Sequence, residues 1–83
     1  MTGRPRKHSL TLQGHRTSVS LEDPFWAAFV EMAAKRNMPL NALAAEIDAA
    51  RGVDIGLASA IRLRVLQHLQ RRLEAAEAQT RPD

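Results

Sequence analysis

Arg16, Ser18 and Ser20 stand two residues apart in the stretch HRTSVSLEDPFW, His15 to Trp26. In an extended chain successive side chains point to opposite faces, so these three share one face. A guanidinium presents a planar fork of donors, and a hydroxyl both donates and accepts. The row therefore suits hydrogen bonding to a polar, acceptor-rich partner rather than bond-making chemistry. Thr17, Val19 and Leu21 share the opposite face and are expected to rest on the remainder of the fold. Charge follows the same end of the chain. Residues 1–18 hold Arg4, Arg6, Lys7 and Arg16 and no carboxylate, a charge of +4, whereas residues 19–83 hold eight basic and nine acidic side chains, a charge of −1. The net excess thus lies at the N-terminal end, which fits a polyanionic partner and equally fits a solvated tail.

Other chemistries lack their residues. The chain has no cysteine, which removes disulfides, zinc ribbons and thiol nucleophiles together. His8, His15 and His68 have no metal-ligand spacing, so no metal site is expected. No nucleophile–base arrangement or glycine-rich phosphate loop is visible, so neither a cofactor nor an enzymatic activity is expected. No apolar run approaches the roughly 20 residues of a membrane span. The N-terminal MTGRPRKHSL lacks the apolar region of a secretory signal. Cytoplasmic residence without membrane contact is the expectation.

The elements that must hold the row can be read from periodicity. Eighty-three residues make one small domain, a size at which dimerisation often supplements the core. Residues 1–8 are expected to form a disordered basic arm, 9–73 the folded domain and 74–83 a fraying tail. SLTL (9–12) and TSVSL (17–21) both alternate as strands do, yet Leu10 and Leu12 are even while Val19 and Leu21 are odd. A tight turn at Gln13-Gly14 would put Leu10 opposite Thr17 and Lys7 opposite Ser20; a glycine bulge in one long strand would absorb the flip as well.

A first helix is predicted from Asp23 as N-cap, with Pro24 at the first helical position and a stripe of Phe25, Phe29, Met32 and Ala33. Trp26 and the phenylalanines follow helical spacing and are assigned to the core. Asn37 can supply a left-handed stop. Pro39 opens a second helix with Leu40, Leu43, Ala44 and Ile47 on its buried face, ending at Arg51-Gly52. A third runs from about Leu57 to Ala78, with Leu57, Ile61, Val65, Leu66, Leu69 and Leu73 on one arc. Arg62 falls inside that arc and is expected to pair with Glu46 or Asp48, because an unpaired buried charge is costly. Leu63 falls on the polar side.

A half-buried strand without a following partner leaves backbone groups unpaired on both edges. The same strand from a second copy, antiparallel about a two-fold axis, would satisfy one edge. Such a ribbon fits the DNA major groove, where Arg can pair with guanine and Ser can donate or accept.

In this order the segments resemble the ribbon-helix-helix DNA-binding proteins: alternating TSVSLE, a Pro-started helix with Phe and Trp, a short break and a second amphipathic helix. The chain looks most like a bacterial group with a GHRTSVSLE-type segment, here Gly14 to Glu22, and a later LASAIRLRVL-type helix. The core of the resemblance covers residues 15–51, and about 9–70 with the last helix. It implies a mainly α fold with a short N-terminal β-strand, an intertwined homodimer with an intermolecular antiparallel β-ribbon, and a third C-terminal helix. It further implies a sequence-specific double-stranded DNA-binding protein acting as a transcriptional repressor.

Carried over by position, Arg16, Ser18 and Ser20 would face the bases, and the start of the second helix, Leu40 and Asn41, would meet phosphate. Many relatives have a Gly and a Ser where this chain has Asn37 and Pro39, and Pro39 donates no N–H. Arg4, Arg6, Lys7 and His15 are further candidates for phosphate. Thr17, Val19, Leu21, Phe25, Phe29, Leu43 and Ile47 are expected in the ribbon and dimer core.

If SLTL folds back as a hairpin strand, it widens the ribbon beyond what the groove comfortably holds; alternatively it covers the sheet edge or brings Arg4, Arg6 and Lys7 to the flanking backbone. The third helix could enlarge the dimer interface or join neighbouring dimers into a higher-order assembly. A second reading remains beside the first, an antitoxin-like or other protein-interaction module that grips a protein partner through the third helix and the tail AEAQTRPD.

Overall fold

The computed structural model describes residues 3–80; residues 1, 2 and 81–83, the ends of the expected arm and tail, lie outside the described residues. Five elements follow one another: β1 (Arg6–Leu12), β2 (His15–Leu21), α1 (Asp23–Lys35), α2 (Leu40–Ala50) and α3 (Leu57–Thr80). The fold is the expected mainly helical one, with two strands in front of three helices.

The phase change at Gln13-Gly14 is a turn. Gln13 has φ 52° and Gly14 φ 84°, the two positive values that match a tight hairpin turn to the twist of its strands. The strands pair antiparallel with Leu10 opposite Thr17 and Lys7 opposite Ser20. β2 therefore has a partner strand within its own chain. β1 begins at Arg6, so Arg6, Lys7 and His8 belong to the strand and not to a disordered arm. Their ordering has a local cause, since His8 lies opposite buried Val19 and stacks flat on Trp26, ring centroids 3.8 Å apart.

α1 starts one residue earlier than expected. Glu22 is the N-cap and Asp23 the first helical residue, with Pro24 still in the first turn. The helix stops at Asn37, which takes φ 54°. The Met38 N–H donates to the Ala33 carbonyl at 2.9 Å and the Asn37 N–H to the Ala34 carbonyl at 3.1 Å. Those paired bonds close orphan carbonyls of the last turn around a left-handed residue. α2 opens on Pro39, whose carbonyl accepts the Ala42 and Leu43 N–H groups at 3.0 and 3.1 Å.

The core lies between the inner face of the hairpin and the three helices. Leu21, Phe29, Leu43, Ile47, Ile61 and Val65 are its largest fully buried side chains. Burying each stabilises the fold by roughly 1.5–3 kcal/mol relative to leaving it exposed. Leu10 and Val19 complete the inner strand surface, and Trp26 meets Phe29 edge-on at 5.7 Å. Phe25 is half-buried. Thr17 departs from expectation. It occupies the inner face by register yet is exposed, because an open cleft of about 430 Å³ lined by Leu12, His15, Ala45, Ala49 and Leu57 separates it from the helices.

Arg62 also departs. Its Nε donates to Glu22 Oε1 at 2.9 Å and its Nη2 to Glu22 Oε2 at 3.1 Å. The two carboxylates expected for it are occupied elsewhere, Glu46 by Arg36 and Arg64 and Asp48 by Arg51. The cause is the path of α3, which packs against β2 and α1 as well as α2 and so carries Arg62 to the β2–α1 junction. α3 extends to Thr80 with no buried side chain after Val65, through residues that favour helix such as Leu73, Glu74, Ala75 and Ala76.

Candidate nucleic-acid interface

The hairpin register determines what its outer face presents. Opposed residues of an antiparallel pair share a face, so Lys7 with Ser20, Ser9 with Ser18, and Thr11 with Arg16 lie together, away from the helices. All six are exposed, and no carboxylate stands among them. The surface is two cations and four hydroxyls on a rigid ladder. Arg16, Ser18 and Ser20 are thus brought together as the spacing suggested. Ser9 and Thr11 are additions, and the signal for them was present. Once Leu10 and Leu12 face inward, residues 9 and 11 must face outward.

The two edges of the hairpin differ. On β1 the Thr11 N–H donates to Asn41 Oδ1 at 3.1 Å, and α2 packs along that strand. Because Thr11 points its backbone out of the hairpin, the alternation of an antiparallel ladder turns the backbone groups of Arg16, Ser18 and Ser20 toward the outer edge of β2. The sheet has two strands, so that edge is open to pairing. Only its end is engaged by a side chain among the described residues, where the Ser20 carbonyl accepts from Arg62 Nη2 at 3.3 Å.

The residues assigned to phosphate fall in different places. Lys7 is on the outer face and Arg4 is exposed just before β1. Arg6 is opposite Leu21, on the inner side, with Nη1 3.9 Å from Asp23 Oδ1. His15 is exposed at the hairpin tip and lines the cleft. Leu40 is half-buried, and Asn41 already uses its side-chain oxygen to hold Thr11. Their backbone N–H groups sit in the first turn of α2, where a helix has no internal partners for its donors. The start of α2 therefore flanks the outer face at Thr11.

Charge around the helices is arranged for structure. The Arg62 hydrogen bond, with help from a backbone bond, holds the Glu22 carboxyl below its ordinary value. Arg36, and then Arg64, does the same to Glu46, while Glu46 raises Arg36. Among the described residues no group of three or more His, Asp or Glu side chains could hold a metal ion. No helix among them is long and apolar enough to cross a membrane.

The hairpin carries its cations and hydroxyls on one exposed face, mounted on a small helical core. The chain belongs to the ribbon-helix-helix family: the family model described as a ribbon-helix-helix domain matches residues 5–69, which takes in the hairpin, α1, α2 and the first half of α3. At that general level it is a DNA-binding regulator on a non-enzymatic fold. Searches of curated proteins and of solved structures gave no match.

Proposed function

We propose that the protein is a sequence-specific repressor that binds double-stranded DNA as a homodimer through the outer face of its hairpin. The observation that carries this reading is that face itself, with Lys7, Ser9, Thr11, Arg16, Ser18 and Ser20 exposed together and free of carboxylates. The β2 strands of two copies pair along their open edges and form the central ribbon. Neighbouring strands lie about 4.8 Å apart, so two strands fit a major groove about 12 Å wide. Four strands span about 14 Å between the outermost backbones, which places the β1 strands over the groove walls.

Arg16, Ser18 and Ser20 then read base edges, while Lys7, Ser9 and Thr11 meet the phosphate backbone. Arg4 and the amides of Leu40 and Asn41 add phosphate contacts beside them, consistent with anion binding at a helix N-terminus. Arg6, paired toward Asp23, contributes field rather than contact. Occupying the groove of a promoter is enough to repress, and the chain acts in the cytoplasm, where that DNA lies.

The test is selection of bound duplexes from a random pool, followed by gel shift of Arg16→Ala. The substitution is expected to cost on the order of 1–3 kcal/mol on the selected sequence and to relax base preference at its position. Unchanged sequence preference in Arg16→Ala sinks the reading.

A further inference from the structure

We infer that the C-terminal half of α3 is a docking surface for the same helix of a second copy, the two running parallel and in register. After Val65 the helix continues for fifteen residues, 66–80, without a buried side chain. That is about 22 Å of helix, of a length that is marginal alone in water. Leu66, Leu69 and Leu73 are nevertheless 50%, 44% and 61% exposed. Their spacing is three and then four residues, and the same alternation continues to Ala76 and Thr80. This is the inner seam of a two-stranded coil over about two heptads.

The residues beside the seam select both the occupant and its direction. Leu63, Gln70 and Glu77 flank it on one side, Val65, Arg72 and Gln79 on the other. In a parallel, in-register pair, a side chain of the second flank meets the first-flank residue five positions later on the other helix. Arg72 then faces Glu77 of the partner subunit, twice by symmetry. An antiparallel pair sets like flank against like, leaving Arg72 before Val65, Arg72 or Gln79, and Glu77 before Leu63, Gln70 or Glu77, with no opposite charge for either. The seam is therefore self-complementary in one direction only.

Arg72 also hydrogen-bonds Glu31 of α1, which fixes the position of the cation and puts α1 on its flank. The Glu77 carboxylate forms no ion pair within the chain among the described residues. Leu63, 52% exposed on the polar side of α3, extends the apolar strip along the open flank. This pairing does not depend on the DNA contacts proposed above.

The absence of cysteine in the chain allows single-cysteine tests on the full-length protein without DNA. Leu69→Cys is expected to form a disulfide-linked dimer on mild oxidation at least about tenfold faster than Arg71→Cys, which lies away from the seam. Comparable rates for the two overturn the proposal, whatever other contact joins the copies. In the Leu69→Cys background carrying Glu31→Gln, which removes the charge facing residue 72 within the chain, adding Glu77→Arg is expected to slow cross-linking several-fold, and adding Arg72→Glu to that variant to restore it. A Glu77→Arg effect that the swap fails to restore overturns the parallel register. Circular dichroism of each variant confirms that the helices remain folded. Cross-linking at residue 69 only to a different added protein assigns the seam to another partner and likewise overturns it.

Discussion

Arg62 holds both carboxylate oxygens of Glu22, forty positions earlier in the chain, at 2.9 and 3.1 Å. The same guanidinium reaches the Ser20 carbonyl at 3.3 Å and lies over the Phe25 ring at 5.8 Å. The third helix is thus fastened to the last residues of β2 and the N-cap of α1, the junction that aims the outer face of the hairpin.

Loss of that fastening should be visible in acid. Glu22 titrates below its ordinary value of 4.5 in the folded protein, so its contribution is complete above that value and disappears as pH falls through the lower folded one. Thermal midpoints measured between about pH 6 and pH 3 are expected to fall in the wild type. Glu46 is lowered too and adds to that fall, so the informative comparison is the slope. Glu22→Gln should start lower at neutral pH and fall less steeply. Equal slopes in the two proteins refute the assignment.

Asn41 should protect an edge rather than a core. Asn41→Ala removes the acceptor for the Thr11 N–H and is expected to cost about 0.5–1.5 kcal/mol. Hydrogen exchange read by NMR should show the Thr11 amide accelerated, with the Val19 and Leu21 amides much less affected. Asn41→Asp, which keeps an acceptor oxygen, should retain the protection.

Salt dependence separates reading from adhesion. Lys7→Ala is expected to reduce the slope of log affinity against log salt by about 0.9 and to leave base preference intact. Arg16→Ala should alter preference as well. Fluorescence anisotropy across a salt series gives both quantities, and a Lys7→Ala slope equal to wild type removes Lys7 from the interface.

The stop of α1 is testable by backbone chemistry alone. Asn37 sits at φ 54°. Asn37→Gly is expected to stabilise by up to about 1 kcal/mol, and Asn37→Val to destabilise by about 1–2 kcal/mol, because a β-branched side chain resists the left-handed region. Urea unfolding of the three proteins decides it.

These positions also show what was legible in the sequence. Pro24 and Asn37 act on their own backbone, so the bounds of α1 could be read within a residue. The outer row of Arg16, Ser18 and Ser20 needed only the period of a strand. The conflict of phase between Leu10 and Val19 revealed a change at Gln13-Gly14, but a turn and a bulge produce the same flip, and only pairing separates them. The partner of Arg62 depended on the path of α3 across the hairpin, a relation between elements that no local pattern carries. The arc of Leu66, Leu69 and Leu73 showed an apolar face and left open what covers it.

The unequal edges of the hairpin have a consequence for growth. A strand edge open on both sides can recruit copies without limit, the geometry of a fibre. Here α2 packs along β1 and Asn41 holds the Thr11 amide, whereas on β2, among the described residues, a side chain engages only the Ser20 carbonyl at its end. A second copy added about a two-fold axis would consume both open edges at once. The edges then facing outward would both be β1, each with its Thr11 amide already held, and further strand addition would be opposed there.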